Sequence, residues 1–383
     1  MSKDYSKMTN DELLSLKKQF EYDISKYHNF QLVRKIQLNS AYGAIGNEWF
    51  RYYSTELAEA ITLSGQLSIQ WIGQELNRYI NKMVGTADFD YVVASDTDSV
   101  YLCLDAIVKK IYPNKGLFDG KPVSLPDNKT VVDFLDKFAE EVVVPFIDKK
   151  FEELANLMNA YENKMKMGRE VIANKGVWTA KKRYMLNVWD SEGVRYTSPK
   201  LKIMGIETTR SSTPKVVREE LEKAIDIILN KDCNTLIEYV QNFKTRFMKM
   251  PMEVIAFPRS VNGMDKYADP YQIYKKSTPI AVKGALIYNH HIQKLGLDKK
   301  YRMVGEGEKI KYLHLKKPNP LGGFKGEDQV LSFPSVVPKE FKIEGYVDYN
   351  MHFEKSFIDP LSTIVNAIGW QMEQKSTLES LFE

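Results

Sequence analysis

Asp96 and Asp98 are two carboxylates separated by one residue, and they lie between two apolar runs of the sequence. The runs Tyr91–Ser95 and Ser99–Cys103 are typical of β-strands, so they predict a tight hairpin with the two carboxylates at its tip. Such carboxylates repel each other and favour water or a divalent cation that takes oxygen ligands. Asp also bonds the local backbone in turns, and for Asp-Thr-Asp alone this structural interpretation is the favoured one.

A second segment, upstream of the hairpin, favours a functional interpretation over a structural one. Its residues Lys35, Asn39 and Tyr42 are spaced by four and three residues. On a helix this spacing puts the three side chains on one face, where they can contact one ligand. Lys35 alone is interpreted as a solvated helix lysine. A carboxylate hairpin for metals and a helix face for a triphosphate together favour nucleotidyl transfer.

A basic stretch follows between Lys164 and Lys202, with ten basic and three acidic residues and a local net charge of +7. Aromatic residues are interleaved with the charges. A stretch of this kind can neutralise nucleic-acid phosphates, and binding should then weaken steeply with salt. A solvated charged surface is an equally good interpretation of the stretch by itself.

The composition is that of an ordinary globular protein, with 43% hydrophobic and 27% charged residues and a net charge of +4. A chain of 383 residues is expected to form two or more domains. It has no apolar run near the ~20 residues that a membrane helix needs, and its first residues lack the apolar core that a signal peptide would need. Cys103 and Cys233 are its only cysteines, so we expect neither a disulfide framework nor a zinc site built on cysteines, which fits a protein of the reducing cytosol. Any bound metal is therefore expected to be a hard cation with oxygen ligands.

Two long helices are predicted to position these side chains. The first covers Thr9–Gly43, as one helix or two, with Asn10 as its cap. Its apolar stripe consists of Leu13, Leu16, Phe20, Ile24 and Tyr27. The second covers Leu57–Met83, with Ile72, Leu76 and Ile80 on its core face, and ends at Gly85.

The rest of the chain predicts a mixture of helices and strands. Helices are expected over Val131–Tyr161, after a Thr213 cap with Pro214 at the first position, and over Leu361–Gln374. Two or three strands are expected between Val177 and Ile206, and another over Lys309–Leu315. An acidic hairpin with further strands, packed by helices, predicts an α+β fold.

The motifs resemble those of family B DNA polymerases. Lys35-x-x-x-Asn39-Ser40-x-Tyr42-Gly43 is similar to the nucleotide-binding helix of that family, and Asp96-Thr97-Asp98-Ser99 to its metal-binding hairpin. Lys181–Tyr184 is similar to the K-K-R-Y strand that contacts the primer. The resemblance is to the C-terminal portion of replicative polymerases of T-even-type tailed phages and covers nearly the whole chain.

The resemblance implies a right-hand polymerase fragment. It would consist of part of the fingers (1–46), a palm whose antiparallel sheet carries the Asp-Thr-Asp hairpin (47–205), a mainly helical thumb (206–375) and a clamp-binding tail (376–383). In the tail, Leu378, Leu381 and Phe382 lie at helical spacing and would dock on a sliding clamp. A frayed end, or a helix packed on the thumb, is the alternative for this segment.

The resemblance also implies roles for the site residues. Asp98 would be the metal ligand for two Mg²⁺ ions and Asp96 its acidic neighbour. Lys35 and Asn39 would bind the phosphates of a dNTP, while Tyr42 and Gly43 would lie beneath the nascent base pair. The primer strand would be gripped by Lys181, Lys182, Arg183 and Tyr184. Glu170 is either a further acidic site residue or a solvated surface glutamate.

The palm motif D-x-x-S-L-Y-P-S, which supplies the other metal-bridging aspartate, is absent from the 383 residues, as are exonuclease motifs. We therefore expect the C-terminal subunit of a split polymerase in the host cytoplasm. It would bind primer-template DNA and act with an N-terminal chain that carries the missing motif and the exonuclease. The alternatives are a shortened piece of a longer polymerase and a non-catalytic scaffold that binds DNA and the clamp. A calcium-binding turn fits less well, because the graded oxygen ligands of such a loop are missing.

Overall fold

The computed structural model describes residues 5, 8–112, 117, 118, 121, 122, 127–322 and 329–371. They fall into two compact units. Unit one comprises residues 1–123 and 142–167, and unit two comprises residues 124–141 and 168–383. Helices combine with small antiparallel sheets, which confirms the α+β class. In the part of the chain that the structure describes, no helix is both long and apolar enough to cross a membrane.

The elements follow one another in this order. Up to residue 157 they are α1 (Asn10–Ile45), α2 (Thr55–Val84), β1 (Val92–Asp96), β2 (Ser99–Leu102), α3 (Asp105–Ile111), β3 (Leu117–Phe118), β4 (Lys121–Pro122), α4 (Asn128–Phe138) and α5 (Val144–Leu157). From residue 171 they are β5 (Val171–Ala180), β6 (Arg183–Ser191), β7 (Val194–Met204), α6 (Lys215–Asn230), α7 (Cys233–Phe247), α8 (Met252–Ile255), β8 (Phe257–Ser260), α9 (Met264–Tyr267), β9 (Ala268–Asp269), β10 (Ile273–Tyr274), α10 (Ile280–Lys294), β11 (Lys309–His314), β12 (Val330–Phe333), α11 (Tyr349–Phe353) and α12 (Asp359–Ala367).

Helix α1 is continuous, and its cap is Thr9 rather than the predicted Asn10. The Thr9 hydroxyl accepts a hydrogen bond from the Glu12 N–H, and the Glu12 carboxylate accepts one from the Thr9 N–H at 2.8 Å. This reciprocal capping box satisfies two N–H groups that helical bonds cannot reach. The pattern Thr-x-x-Glu was therefore the better predictor of where the helix begins.

The described side chains of α1 include none that is buried. Ile24 is 68% exposed and Tyr27 64% exposed, so the predicted apolar stripe faces solvent. Trp49, in the connection between α1 and α2, is 88% exposed. Exposing apolar surface costs roughly 25 cal/mol per Å², and a contiguous apolar patch usually marks an interaction site.

Helix α2 is anchored by its C-terminal half, as predicted. Ile72, Leu76 and Ile80 are buried, and α2 packs against α5. The rings of Tyr79 and Phe146 stack with centroids 4.0 Å apart. The helix ends at Gly85, whose φ of +90° suits a residue without a Cβ atom.

Unit two contains an antiparallel sheet in the order β5-β6-β7. The sheet begins at Val171, six residues before the predicted Val177, and three strands form. Helix α6 begins at Lys215 with Pro214 as its N-cap, so the prediction of Thr213 as the cap was wrong by one residue. Proline has no N–H to donate and fixes φ, which suits it to the start of a helix.

A second sheet has the order β12-β11-β8, and β11 (Lys309–His314) confirms the strand predicted over Lys309–Leu315. It shares a hydrophobic core with helices α6, α7 and α10, in which Phe243, Tyr288 and Leu313 are fully buried. His314 and His352 are also buried there, and the backbone N–H of His314 donates to His352 Nε2 at 2.8 Å. These histidines are structural, and α12 ends the described helices at Ala367.

Candidate active site and nucleic-acid contacts

Strands β1 and β2 form the predicted hairpin, with Asp96 paired to Ser99 and only Thr97 and Asp98 between them. The Asp98 N–H donates to the Asp96 carbonyl at 2.6 Å, and Thr97 adopts a φ of +56°. A β-branched residue rarely adopts a positive φ, since its side chain crowds the backbone. Strain of this kind is concentrated at functional sites, and here it lies between the two candidate carboxylates.

The side chains of the turn fix the orientation of Asp96. The Thr97 hydroxyl donates to Asp96 Oδ1 at 3.0 Å, and the Ser99 hydroxyl donates to the Asp96 carbonyl at 3.2 Å. Asp96 is half-buried, whereas Asp98 is exposed. Asp98 is therefore the carboxylate of the pair that is more open to a ligand.

The donor atoms of this hairpin fit a hard divalent cation, because carboxylate oxygens are the ligands that Mg²⁺ prefers. The described residues contain no group of three or more His, Cys, Asp or Glu side chains that could hold a metal ion. A complete metal site would therefore need further oxygen donors besides Asp96 and Asp98.

Lys35, Asn39 and Tyr42 all lie on α1 and all are exposed. Four- and three-residue steps along one helix keep them on one face. A Cβ atom at Gly43 would meet no heavy atom within 4 Å, so the space above this backbone is open. The helix thus presents a cation, an amide and an aromatic ring to solvent along one side.

Lys181 and Lys182 form the two-residue turn between β5 and β6, and Arg183 and Tyr184 are the first residues of β6. Lys181 and Lys182 are exposed at the turn, and Lys182 has a φ of +61°. The Tyr184 side chain is only 8% exposed and its ring lies 6.1 Å from that of Trp178. The two lysines are therefore more accessible to a polyanion than Tyr184 is.

Gly205 packs directly against this turn. A Cβ atom at Gly205 would lie 2.0 Å from the Lys182 carbonyl oxygen, and Gly205 has a φ of +68°. Both facts exclude any side chain at this position without a shift of the backbone. Gly205 therefore sets how closely the end of β7 approaches the lysine turn.

Some charges of the basic stretch are neutralised within unit two. Arg169 forms ion pairs with Asp136 and with the fully buried Asp190. Arg195 pairs with Asp136 at 3.1 Å and with Asp133 at 3.3 Å. These arginines stabilise the fold and are less available to phosphates than the +7 net charge suggested.

Glu170 and the tail are two further sequence expectations, and Glu207 is a residue that the sequence analysis missed. Glu170 is exposed, and its carbonyl accepts the Glu192 N–H at 2.6 Å. The tail residues Leu378, Leu381 and Phe382 lie outside the described residues. Sequence reasoning gave no role to Glu207, which pairs with Arg183; the two are 24 residues apart and no local pattern links them.

Comparison with known proteins identifies the class. Residues 8–111 match the family model described as DNA polymerase family B, and this region contains Lys35, Asn39, Tyr42, Asp96 and Asp98. The chain is thus a relative of the family B DNA polymerases.

The relatives with high identity are phage enzymes. The chain is 38% identical to the DNA-directed DNA polymerase of Enterobacteria phage T4, over 98% of this chain and 41% of that protein. It is 40% identical to the DNA-directed DNA polymerase of Escherichia phage RB69, over 92% of this chain and 38% of that protein. DNA polymerase 1 of Aeropyrum pernix is 22% identical over 76% of this chain and 24% of its own length. The chain therefore spans about two fifths of the length of its phage relatives.

Proposed function

We propose that this chain is the C-terminal part of a template-directed DNA polymerase that adds deoxynucleotides to a primer 3′-hydroxyl. The observation that carries the proposal is the exposed Asp98 carboxylate beside Asp96 in a strained turn. The hairpin lies within the region that matches family B DNA polymerases. A two-residue hairpin turn commonly needs a positive φ, but Gly, Asn or Asp usually adopts it, so a β-branched threonine at this position is unusual.

Asp98 would hold Mg²⁺, with Asp96 as the second carboxylate of the hairpin. Two Mg²⁺ ions, when bound, would stabilise the attacking and leaving oxygens of nucleotidyl transfer. Because Mg²⁺ usually combines one or two carboxylates with substrate phosphates and water, the hairpin can supply part of this set. Another protein segment and the nucleotide would supply the rest.

The exposed face of α1 would bind the incoming nucleotide. Lys35 would neutralise charge on its phosphates as a point cation, and Asn39 would donate a hydrogen bond to the phosphate tail. Tyr42 and the open backbone at Gly43 would lie beneath the new base pair, where a ring and a bare backbone test its shape.

The lysine turn would bind the primer-template duplex. Lys181 and Lys182 are the exposed cations of this turn, and phosphate neutralisation would dominate its affinity. Arg183 and Tyr184 would hold the turn in place from within the sheet, through an ion pair and buried packing.

The proposed enzyme is arranged as a right hand in the host cytoplasm. Residues 1–46 would belong to the fingers, 47–205 to the palm and 206–375 to the thumb. The tail at 376–383 would bind a sliding clamp through Leu378, Leu381 and Phe382, in the manner of a helix in a groove.

A second, N-terminal polypeptide would complete the active site. It would carry the D-x-x-S-L-Y-P-S motif, the exonuclease and the rest of the fingers. Two observations support this partner. The apolar residues of α1 are exposed to solvent, and the described residues hold no group of three or more His, Cys, Asp or Glu side chains that could bind a metal ion.

The test is a primer-extension assay with Mg²⁺, using the chain alone and the chain mixed with a polypeptide that carries the missing motif. We expect no extension by the chain alone, extension by the mixture, and a 1:1 heterodimer by light scattering. Robust synthesis by the chain alone would overturn the proposal that a second polypeptide is needed. Binding of DNA and clamp without any extension by the mixture would instead favour the non-catalytic scaffold.

A further inference from the structure

Two asparagines on α2 hold the segment that leads into the hairpin. Asn77 Oδ1 accepts the N–H groups of Tyr91 and Val92, at 2.8 and 3.1 Å, and Asn77 Nδ2 donates to Asp90 Oδ1 at 2.8 Å. One turn later, Asn81 Oδ1 accepts the Phe89 N–H at 2.9 Å and Asn81 Nδ2 donates to the Phe89 carbonyl at 2.7 Å. The side chains of α2 therefore satisfy backbone groups of this segment that a neighbouring strand would otherwise bond.

Tyr91 is the point where both strands of the hairpin are attached. Its N–H donates to Asn77, and its carbonyl accepts the Cys103 N–H at 2.9 Å, immediately after β2. Its buried ring places the hydroxyl 3.0 Å from the Thr86 hydroxyl, which donates to Asn81 Oδ1. The base of the hairpin is thus fixed to α2, while its tip at Asp98 is exposed.

We infer that Asn77 is a positioning residue that sets where Asp96 and Asp98 lie by fixing the base of their hairpin to α2. The inference rests on the proposed polymerase function for its catalytic consequence. It does not depend on that function for its structural part, which concerns the hydrogen bonds of Tyr91 and Val92 alone.

Geometry makes the base of the hairpin important for its tip. Asp96 lies five residues beyond Tyr91, which is about 16 Å at ~3.3 Å per residue. A tilt of about 4° at the base would therefore move the carboxylates by about 1 Å, and a misplacement of that size can cost roughly 100-fold in rate. Loss of the Asn77 hydrogen bonds would therefore lower the catalytic rate by displacing the carboxylates, although Asn77 does not contact the substrate.

Three variants separate positioning from general stability. Asn77→Ala removes both accepted bonds and the donated one. The double variant Asn77→Asp with Asp90→Asn restores the pairing in reverse, because a carboxylate can accept all three N–H groups and the new amide can donate. Gln74→Ala is the matched control, since Gln74 is an exposed amide on the same helix.

The experiment combines kinetics of the assembled polymerase with hydrogen exchange of residues 91–103. For Asn77→Ala we expect kcat to fall about 10- to 100-fold, with the KM for dNTP and the Kd for DNA within about twofold. Amide exchange of the hairpin should rise at least about tenfold. The double variant should restore both quantities to within about threefold, and Gln74→Ala should change neither.

The two proposals fail in different ways. If the assembled wild-type protein does not extend primers, the polymerase proposal fails, and hydrogen exchange still decides whether Asn77 anchors the hairpin. If extension is normal but Asn77→Ala leaves both kcat and exchange unchanged, the positioning role is wrong. A lowered melting temperature with unchanged kcat below that temperature would likewise reduce Asn77 to a stabilising residue.

Discussion

Arg183 and Glu207 form an ion pair in which one guanidinium nitrogen, Nη2, lies 2.8 and 3.1 Å from the two carboxylate oxygens. The side chains are 28% and 17% exposed, so the pair is partly screened by solvent. Arg210 Nη1 lies 3.3 Å from the same carboxylate. The charge of Arg183 is therefore engaged within unit two, so we expect Arg183 to contribute less to the proposed DNA binding than the exposed Lys181.

Lys181→Ala should change DNA affinity, whereas Arg183→Ala should mainly change folding stability. Lys181→Ala should reduce the slope of log Kd for duplex DNA against log salt by about 0.9, the contribution of one phosphate contact. Arg183→Ala should instead lower the free energy of unfolding by about 1–2 kcal/mol, because it leaves Glu207 partly buried without its main partner. Salt titrations of DNA binding and urea denaturation measure the two effects. Equal salt slopes for wild type and Lys181→Ala would contradict the assignment.

Asp98→Asn should abolish catalysis in the assembled enzyme. Removal of a metal-ligand charge costs several kcal/mol of transition-state stabilisation, so single-turnover extension should fall by about 1,000-fold or more. DNA affinity should stay within about threefold. Asp88→Asn, an exposed carboxylate of the same unit, is the control and should extend primers normally. Extension near the wild-type rate by Asp98→Asn would refute its role.

Lys35→Ala should weaken the use of nucleotides. Loss of one charge contact to the triphosphate should raise the KM for dNTP about tenfold or more and slow incorporation. Lys18→Ala, an exposed lysine of the same helix, should change neither quantity. If Lys35→Ala behaved like Lys18→Ala in steady-state kinetics, Lys35 would be an ordinary surface lysine.

Tyr42→Ala tests the other side of the nucleotide site and should relax base-pair discrimination. The ratio of incorporation efficiencies for matched and mismatched nucleotides should fall about tenfold, since one lost shape contact is worth about 1–3 kcal/mol. Extension with matched nucleotides should fall less. An unchanged ratio would show that the ring does not test the pair.

Deletion of residues 377–383 should remove stimulation by a sliding clamp and spare synthesis without it. The reason is the apolar trio Leu378, Leu381 and Phe382, which suits a helix-in-groove contact. The measurement is product length on a long template, with and without clamp. If the clamp stimulated the shortened chain as strongly as the wild type, the tail would not be the clamp-binding segment.

Unit two should lose stability as the pH falls below about 6.5. Burial lowers the pKa of His314 to about 4 and that of His352 to about 3; Lys355 and the His314 ring add smaller effects. The unfolded chain then binds protons that the folded chain excludes, and each histidine should remove about 1.4 kcal/mol of unfolding free energy per pH unit below 6.5. The loss is absent above pH 6.5 and stops growing once the pH falls below the folded-state pKa values of about 4 and about 3.

His352→Gln isolates this effect. Glutamine can still accept the His314 N–H but does not titrate, so urea denaturation between pH 6.5 and 4.5 should show a shallower loss of stability. His290→Gln, on the exposed side of α10, should follow the wild-type curve. Identical pH slopes for all three proteins would exclude the buried imidazoles as the cause.

Local patterns predicted the carboxylate hairpin well. The observed strands begin and end within one residue of the predicted runs, because continuous apolar runs and a two-residue polar turn are local signals. Periodicity predicted helix over the α1 region but left one helix or two open, and the end of α2 at Gly85 followed from a glycine stop. The predicted cap was wrong by one residue, Asn10 instead of Thr9, because both residue types are good caps.

Long-range partners could not be predicted in this way. Asn77 and Tyr91 are 14 residues apart and Arg183 and Glu207 are 24 apart, and each pair meets only through tertiary structure. The pairing of Arg169 with Asp190 likewise depends on how β5 and β6 align. A count of charges along the sequence therefore overstated the positive surface that nucleic acid could use.

The discontinuity of unit one has a consequence for its synthesis on the ribosome. Trp71 of α2 donates its indole N–H to the Lys150 carbonyl of α5, which lies 79 residues later. At about 5–20 residues per second, a nascent chain would wait roughly 4–16 s with the apolar face of α2 uncovered. Translation pauses between residues 123 and 142 would lengthen that interval, so codon choice in this short stretch should affect the yield of folded protein.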